Sequence, residues 1–173
     1  MSRASARLLL AAGVLSGALL AFSFARSEET LVWTANTNGD LISLSYGSLD
    51  TSKPPVLLLS CFNEMSIGVL EIFGTIQGTR PGQKLSIDLS TGGTQSSSEG
   101  AVELDDQSGT MFAEASDVEI APLLAVLKAS GPLTIKIAAT TITLPEVGRA
   151  EAAETFSKDC KLSSALFVLR RGE

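Results

Sequence analysis

The pattern of hydrophobic and polar positions along the chain is typical of β-strands. Apolar side chains alternate with polar ones over residues 41–46 and 84–89, which predicts strands with one buried face. Residues 56–61 and 66–76 are apolar on both faces, which predicts interior strands. The predicted strands cover residues 30–34, 41–46, 56–61, 66–76, 84–89, 101–104, 109–113, 133–137, 141–144 and 162–169.

Polar stretches separate these strands. The pair Asn38-Gly39 favours a tight hairpin between the first two strands. Residues 90–100, with the sequence STGGTQSSSEG, contain glycine, serine and threonine but no apolar side chain, so we predict a mobile loop there. Residues 105–108 are predicted to form the turn of a later hairpin.

The later part of the chain has helical patterning. Ser116 or Asp117 is placed to cap a helix that runs to about Ala129, and the Ser-Gly-Pro sequence at 130–132 ends it. Residues 148–159 are the second predicted helix. The predicted fold is mainly β (α+β), an antiparallel β-sandwich or partial barrel with two C-terminal helices.

The first 25 residues have the features of a secretory signal peptide. Arg3 and Arg7 precede an apolar run over residues 8–24, and Ser23 and Ala25 are small residues suited to cleavage after Ala25. A retained membrane anchor is the alternative, since a spanning helix needs roughly 17–25 residues. We predict cleavage, one exported β-rich domain over residues 26–173, and a periplasmic or secreted location.

Charge and composition exclude several classes of function. The 173-residue chain has 13 basic and 19 acidic residues, and two of the basic ones lie in the signal segment. The exported part therefore has 11 basic and 19 acidic residues, a formal charge of −8, which repels nucleic acid and anionic lipid. The chain has no histidine, which excludes Ser-His-Asp and Cys-His nucleophiles and histidine metal ligands. No cofactor is predicted.

Cys61 and Cys160 are the two cysteines of the chain. In an oxidising compartment their simplest role is one structural disulfide. A redox pair is the alternative, but no C-x-x-C sequence occurs, and only Lys158 and Lys161 lie near a cysteine as basic activators. We predict the structural disulfide.

Acidic residues are the remaining candidates for chemistry. Glu71 lies within an apolar strand, and a carboxylate-based hydrolase would pair it with Asp88 or Glu103. Exposure or pairing of Glu71 with a cation is the alternative. Glu103, Asp105 and Asp106 are the best candidates for a cation site, but the spacing of a calcium loop is missing. We therefore predict an ordinary hairpin turn and no metal site.

Aromatic and apolar residues near sheet edges are candidates for partner binding. The chain has few aromatic residues, and we single out Trp33 and the apolar tail 165–169 with Phe167. An aromatic side chain near an edge strand can anchor a partner that adds a strand to the sheet. The alternative is that both positions complete the core.

The order of several segments resembles a known family. From Pro54 the chain reads P-P-V-L-L-L-S-C, then S-I-G-V-L-E-I, G-T-M-F and D-V-E-I-A-P-L-L-A-V-L-K-A, followed by L-T-I-K-I, T-I-T-L-P and V-G-R-A-E-A-A-E-T-F-S-K-D-C. This order resembles the small periplasmic proteins associated with type VI secretion, the VasI-like group. Over residues 112–160 it is also similar to proteins of the invasion-associated locus B type. The resemblance implies an exported β-rich domain without known catalysis and a pairing of Cys61 with Cys160.

The leading functional hypothesis is a non-enzymatic periplasmic accessory protein, a binding or assembly module at the bacterial cell envelope, with a possible link to secretion. It predicts an envelope protein partner, no nucleic acid, and no stable membrane insertion once the signal is removed. One alternative is the carboxylate-based hydrolase. Another is a small-ligand carrier in which the predicted loop 90–100 covers an apolar cavity.

Overall fold

Nine strands and two helices form the part of the chain that the computed structural model describes, residues 30–106 and 108–161. The predicted signal peptide 1–25 and the predicted strand 162–169, with Phe167, lie outside the described residues. The strands are β1 (Leu31–Asn38), β2 (Leu41–Ser48), β3 (Leu57–Phe62), β4 (Ile67–Phe73), β5 (Lys84–Thr91), β6 (Thr94–Asp105), β7 (Thr110–Ser116), β8 (Leu133–Ile137) and β9 (Thr140–Leu144). The helices are α1 (Ile120–Lys128) and α2 (Arg149–Asp159).

All nine strands belong to one open antiparallel sheet. Their order is β1-β2-β3-β4-β7-β6-β5-β8-β9. The sheet curves enough for its two ends to approach each other, since the indole Nε1 of Trp33 in β1 donates to the carbonyl oxygen of Pro145 after β9 at 2.9 Å. The predicted mainly β, antiparallel fold with two helices in the C-terminal half is confirmed.

The two faces of the sheet have different compositions because successive side chains of a strand point to opposite sides. The inner face carries fully buried aliphatic residues such as Leu44, Leu59 and Ile87, and both helices pack on it. Leu123 of α1 and Phe156 of α2 are buried in the same core. Among residues 30–106 and 108–161, therefore, neither helix packs on the outer face of the sheet.

The predicted mobile loop at 90–100 is wrong, because this stretch continues β5 and begins β6. Gly92 and Gly93 have φ values of 55° and 90°, which suits the tight turn that joins the two strands. Hydroxyl groups replace hydrophobic contacts on the outer side: the Ser86 and Ser97 hydroxyls lie 2.8 Å apart across the pair. Serine and threonine thus form a strand here that carries no apolar signal.

The first helix begins later than predicted. Ser116 is the last residue of β7, and Asp117 has a φ of 56°, so neither residue caps the helix. The backbone N–H of Val118 donates instead to the carbonyl of Gly68 in β4 at 3.0 Å. The N-cap residue is Glu119, whose side chain makes no capping hydrogen bond. Tertiary pairing with β4 therefore takes priority over the local capping signal.

The disulfide predicted between Cys61 and Cys160 is confirmed. It joins the buried end of β3 to the residue that follows α2, and the two Cα atoms lie 5.8 Å apart. The side chain of Asn63 supports the same junction, since its Nδ2 donates to the carbonyl oxygen of Asp159 at 2.9 Å. The end of α2 is thereby fixed to the β3–β4 turn.

Arg149 fixes the other end of α2 and was not singled out by its sequence context. Its guanidinium is buried and donates from Nε to the carbonyl oxygen of Leu127 at 2.9 Å and from Nη2 to that of Gly131 at 2.8 Å. A third hydrogen bond reaches the carbonyl oxygen of Ala129. The cation therefore caps carbonyls at the C-terminal end of α1, where positive charge is favoured.

Candidate functional site

The outer faces of β3, β4 and β7 form a half-buried surface of unusual composition. Cα pairing aligns Leu58 of β3 with Glu71 of β4, and Glu71 with Glu114 of β7. Val69, the Cα partner of Ser116, lies in the row on one side, and the pair of Phe73 and Phe112 lies in the row on the other. We call this surface the acidic–apolar patch, and it consists of Leu58, Val69, Glu71, Phe73, Phe112 and Glu114.

Two carboxylates face each other at the centre of the acidic–apolar patch. Among the described residues, Glu71 makes no ion pair and no side-chain hydrogen bond. Burial, with added repulsion from Glu114, raises the pKa of the Glu71 carboxyl above its usual value. Glu114 accepts one hydrogen bond from the Ser116 hydroxyl at 3.0 Å. The charge of Glu71 is therefore held in an unfavourable environment.

An aromatic pair borders these carboxylates. Phe73 and Phe112 are Cα partners on β4 and β7, and their rings stack with centroids 5.0 Å apart and planes inclined by 19°. Both side chains remain partly accessible to solvent. A stacked pair of this kind gives a rigid apolar surface against which another molecule can pack.

The outer face of β5, β6 and β8 is polar, and its carboxylate has partners. Asp88 accepts hydrogen bonds from the hydroxyls of Ser97 at 2.6 Å and Ser86 at 2.9 Å. Lys136 of β8 is its Cα partner on the other side. The two serine hydroxyls, with a smaller contribution from Lys136, lower the pKa of Asp88. We call Ser86, Asp88, Ser97 and Lys136 the polar cluster.

The structure places the predicted hydrolase residues apart in the register. Glu103 of β6 is the Cα partner of Phe112, and Asp88 lies in β5 opposite Ser97. Glu114 is the acid that lies opposite Glu71. Sequence reasoning missed Glu114 because the pairing of β4 with β7 skips two intervening strands and leaves no local signal.

The candidate cation site is a hairpin turn. The carboxylate of Asp105 accepts hydrogen bonds from the backbone N–H and the hydroxyl of Ser108, and the Asp105 carbonyl accepts one from Gly109. This is the Asx geometry of a tight turn. Within residues 30–106 and 108–161, no group of three or more acidic or cysteine side chains is arranged to hold a metal ion.

Trp33 lies in the core. Its side chain is 8% exposed, and its ring centroid is 4.9 Å from that of Tyr46. Its indole N–H donates a hydrogen bond to the carbonyl oxygen of Pro145. This is the arrangement expected if Trp33 completes the core. The second predicted partner-binding residue, Phe167, lies outside the described residues.

Comparison with known proteins gives no match: no protein-family model, no curated protein and no solved structure is significantly similar to this chain. In the described part of the chain, neither helix is long and apolar enough to cross a bilayer.

Proposed function

We propose that this protein is a non-enzymatic accessory of the cell envelope that binds a protein partner through the acidic–apolar patch. The predicted signal peptide supports the location, and a disulfide is typical of proteins that fold in an oxidising compartment. The single observation that carries the proposal is the placement of Glu71 opposite Glu114 beside apolar side chains, where Glu71 has no ion-pair partner among the described residues.

A partner with a lysine or arginine in an apolar segment fits this surface. Its cation would lie between Glu71 and Glu114 and remove their mutual repulsion, while its apolar side chains would pack on Phe73 and Phe112. Interfaces of this type combine a buried aromatic anchor with complementary charge. Two facing acids also reject a partner that presents acidic residues, so the pair gives specificity as well as attraction.

The proposal predicts opposite effects of one substitution on stability and on binding. Glu71→Gln removes the half-buried charge, so the free energy of unfolding should rise at neutral pH. The same substitution removes the attraction for the cation of the partner, so binding should weaken. A functional residue that reduces stability is typical of binding sites.

The experiment compares capture of envelope proteins by the tagged mature domain and by three variants. Glu71→Gln should weaken capture of a stoichiometric partner, and Glu71→Lys should weaken it further. Both variants should nevertheless unfold at a urea concentration at least as high as that of the parent. Asp88→Asn in the polar cluster is the matched control and should keep the partner. Equal capture by all four proteins would contradict the proposal. So would a loss of capture that occurs only in variants with a lower free energy of unfolding.

A carboxylate-based hydrolase is a second proposal, and one observation favours it. Burial and the neighbouring Glu114 raise the pKa of Glu71, and a carboxyl with a raised pKa next to a second acid can act as a general acid. Hydrolysis of glycan substrates by the mature domain, abolished separately by Glu71→Gln and by Glu114→Gln, would establish it. Unchanged hydrolysis in both variants would reject it.

A further inference from the structure

One stretch of the chain itself has the chemistry that the acidic–apolar patch requires of a partner. Residues 165–171 read A-L-F-V-L-R-R, an apolar run that leads directly into two arginines. Arg170-Arg171 is the one pair of adjacent basic residues in the sequence. This stretch lies outside the described residues. We call residues 165–171 the apolar–basic segment.

The spacing within the apolar–basic segment matches the spacing within the patch. Glu71 and Phe73 are two residues apart on β4, so they lie on the same face of the strand, about 7 Å apart. In an extended segment, Leu169 and Arg171 are also two residues apart on one face, and Phe167 precedes them on that face. Leu169 can therefore pack at Phe73 while Arg171 lies at Glu71.

An arginine suits the two facing carboxylates of the patch. Glu71 and Glu114 are Cα partners, and directly opposite residues of paired strands have Cβ atoms about 5 Å apart. A guanidinium has five N–H donors in a planar arrangement, so it can donate to both carboxylates at once. Neither the charge of Glu71 nor its repulsion by Glu114 is compensated by a cation among the described residues.

Other cations in apolar stretches of the chain are already used within the fold. Lys128 at the end of α1 forms an ion pair with Glu154 at 2.7 Å. Arg149 is buried and donates to three carbonyl oxygens near the same helix end. Lys136 is the Cα partner of Asp88 in the polar cluster. These three cations are therefore not candidates to neutralise the patch of a second copy.

The path of the chain favours a second copy as the source of the segment. The Lys161 backbone N–H donates to the side-chain oxygen of Asn63 at 2.8 Å, beside the turn that leads into β4. Glu71 lies about 13 Å along β4, and Ala165 lies about the same distance from Lys161 in an extended chain. Within one molecule the apolar run would therefore lie over Glu71, and Arg171, about 33 Å along, would pass beyond the patch. A segment from a second copy has no such constraint and can run antiparallel to β4.

We propose that the apolar–basic segment of one copy binds the acidic–apolar patch of a second copy, so that the protein associates head to tail. This inference rests on the proposed function, because it names the partner that the same patch binds. The contact joins two different surfaces, so each bound pair still has one free patch and one free segment. At low concentration the chain is a monomer, and the stability effects predicted for Glu71→Gln apply to that form.

Sedimentation velocity of the full mature chain, from micromolar to millimolar concentration, measures the association. Glu71→Lys removes the patch, and Arg170→Gln combined with Arg171→Gln removes the charge of the segment. Each variant should associate at least about tenfold more weakly than the parent. The glutamine variant alters no described residue, so it keeps the test valid even if Glu71→Lys fails to fold.

Two matched controls should associate as the parent does. Glu99→Lys makes the same change of charge as Glu71→Lys, at an exposed position of β6 opposite Ser86. Arg170→Lys combined with Arg171→Lys keeps the charge of the segment. Together they separate contact between patch and segment from a change in net charge.

A mixture of the two weakened variants tests the head-to-tail arrangement directly. Glu71→Lys retains an intact segment, and the glutamine variant retains an intact patch. A 1:1 mixture should therefore form a dimer and no larger species, although neither variant associates alone. Hydrogen exchange of the amides of β4 and β7 should slow in the glutamine variant when Glu71→Lys is added.

Four results would overturn the proposal. They are a parent that stays monomeric at millimolar concentration, association that survives either variant, a mixture that does not form the dimer, and faster exchange in β4 and β7 of the dilute glutamine variant than of the dilute parent. The last would show that the segment binds within one molecule. A monomeric parent that still captures another envelope protein through Glu71 would reject self-association and leave the proposed function standing, whereas loss of both would reject both.

Discussion

Two regions of the outer sheet face have opposite effects on the charge of a carboxylate. In the polar cluster, Asp88 accepts hydrogen bonds from two serine hydroxyls and is the Cα partner of Lys136, and its charge is stabilised. In the acidic–apolar patch, Glu71 faces Glu114 among apolar side chains, and its charge is destabilised. The first region satisfies its charge internally. The second leaves the charge of Glu71 without a compensating group among the described residues, and this difference is the basis of the proposed binding surface.

The largest expected effect comes from the disulfide, which joins β3 to the end of α2 and should leave the difference between the two regions intact. Closing a loop with a sequence separation of 99 is worth about 4–5 kcal/mol in the chain-entropy model. Cys61→Ser and Cys160→Ser should therefore lower the free energy of urea unfolding by similar amounts, and the double variant should be no worse. Strongly unequal single variants would contradict a shared bridge.

Substitution within the stacked aromatic pair should have a smaller effect on stability and a local effect on binding. Phe112→Ala removes a half-buried ring and its stack with Phe73, and we expect a loss of about 2 kcal/mol in unfolding free energy. Ser97→Ala in the polar cluster should cost at most about 1 kcal/mol, the value of a typical hydrogen bond. Partner capture should fall only in Phe112→Ala. A similar fall in Ser97→Ala would remove the distinction between the two regions.

The smallest effects, those of pH, should have opposite signs in the two regions. The pKa of Glu71 is raised above its usual value of 4.5, so its contribution favours folding below that pH and is lost as pH rises through the higher folded value. Glu71→Gln should therefore match the parent in acid and become more stable than it towards neutral pH.

Asp88 should behave in the reverse manner. Its pKa is lowered from the usual 3.8, so its stabilising contribution is present above that pH and is lost as pH falls through the lower folded value. Asp88→Asn should be less stable than the parent at neutral pH and approach it in acid. Urea unfolding of the parent and both variants across pH measures the two trends, and trends of the same sign would refute the contrast.

Much of the inner face could be predicted from the sequence, because burial there leaves a periodic signal. The alternation of Leu85, Ile87 and Leu89 identified a strand with one buried side, and all three residues are buried. The two cysteines in a chain with a predicted signal peptide indicated a disulfide, which the structure contains. These inferences depend on local patterns and on composition.

The outer face could not be predicted in the same way, because its properties come from pairing between distant strands. β6 begins in a serine-rich stretch whose sequence does not indicate a strand. It is a strand because it pairs with β5. Glu114 lies opposite Glu71 because β7 pairs with β4, a connection between positions 43 residues apart. Arg149 is buried because three carbonyl oxygens near the end of α1 surround it, whereas a cation in a helix normally indicates an exposed position.

Site-specific photocrosslinking in intact cells tests the binding surface most directly. A benzophenone side chain would replace Phe112 in the acidic–apolar patch or Lys136 in the polar cluster, each with and without Glu71→Lys. We predict one discrete protein adduct from position 112, its loss with Glu71→Lys, and no such adduct from position 136. The same adduct from both positions, an adduct that Glu71→Lys leaves unchanged, or no adduct from position 112 would contradict it.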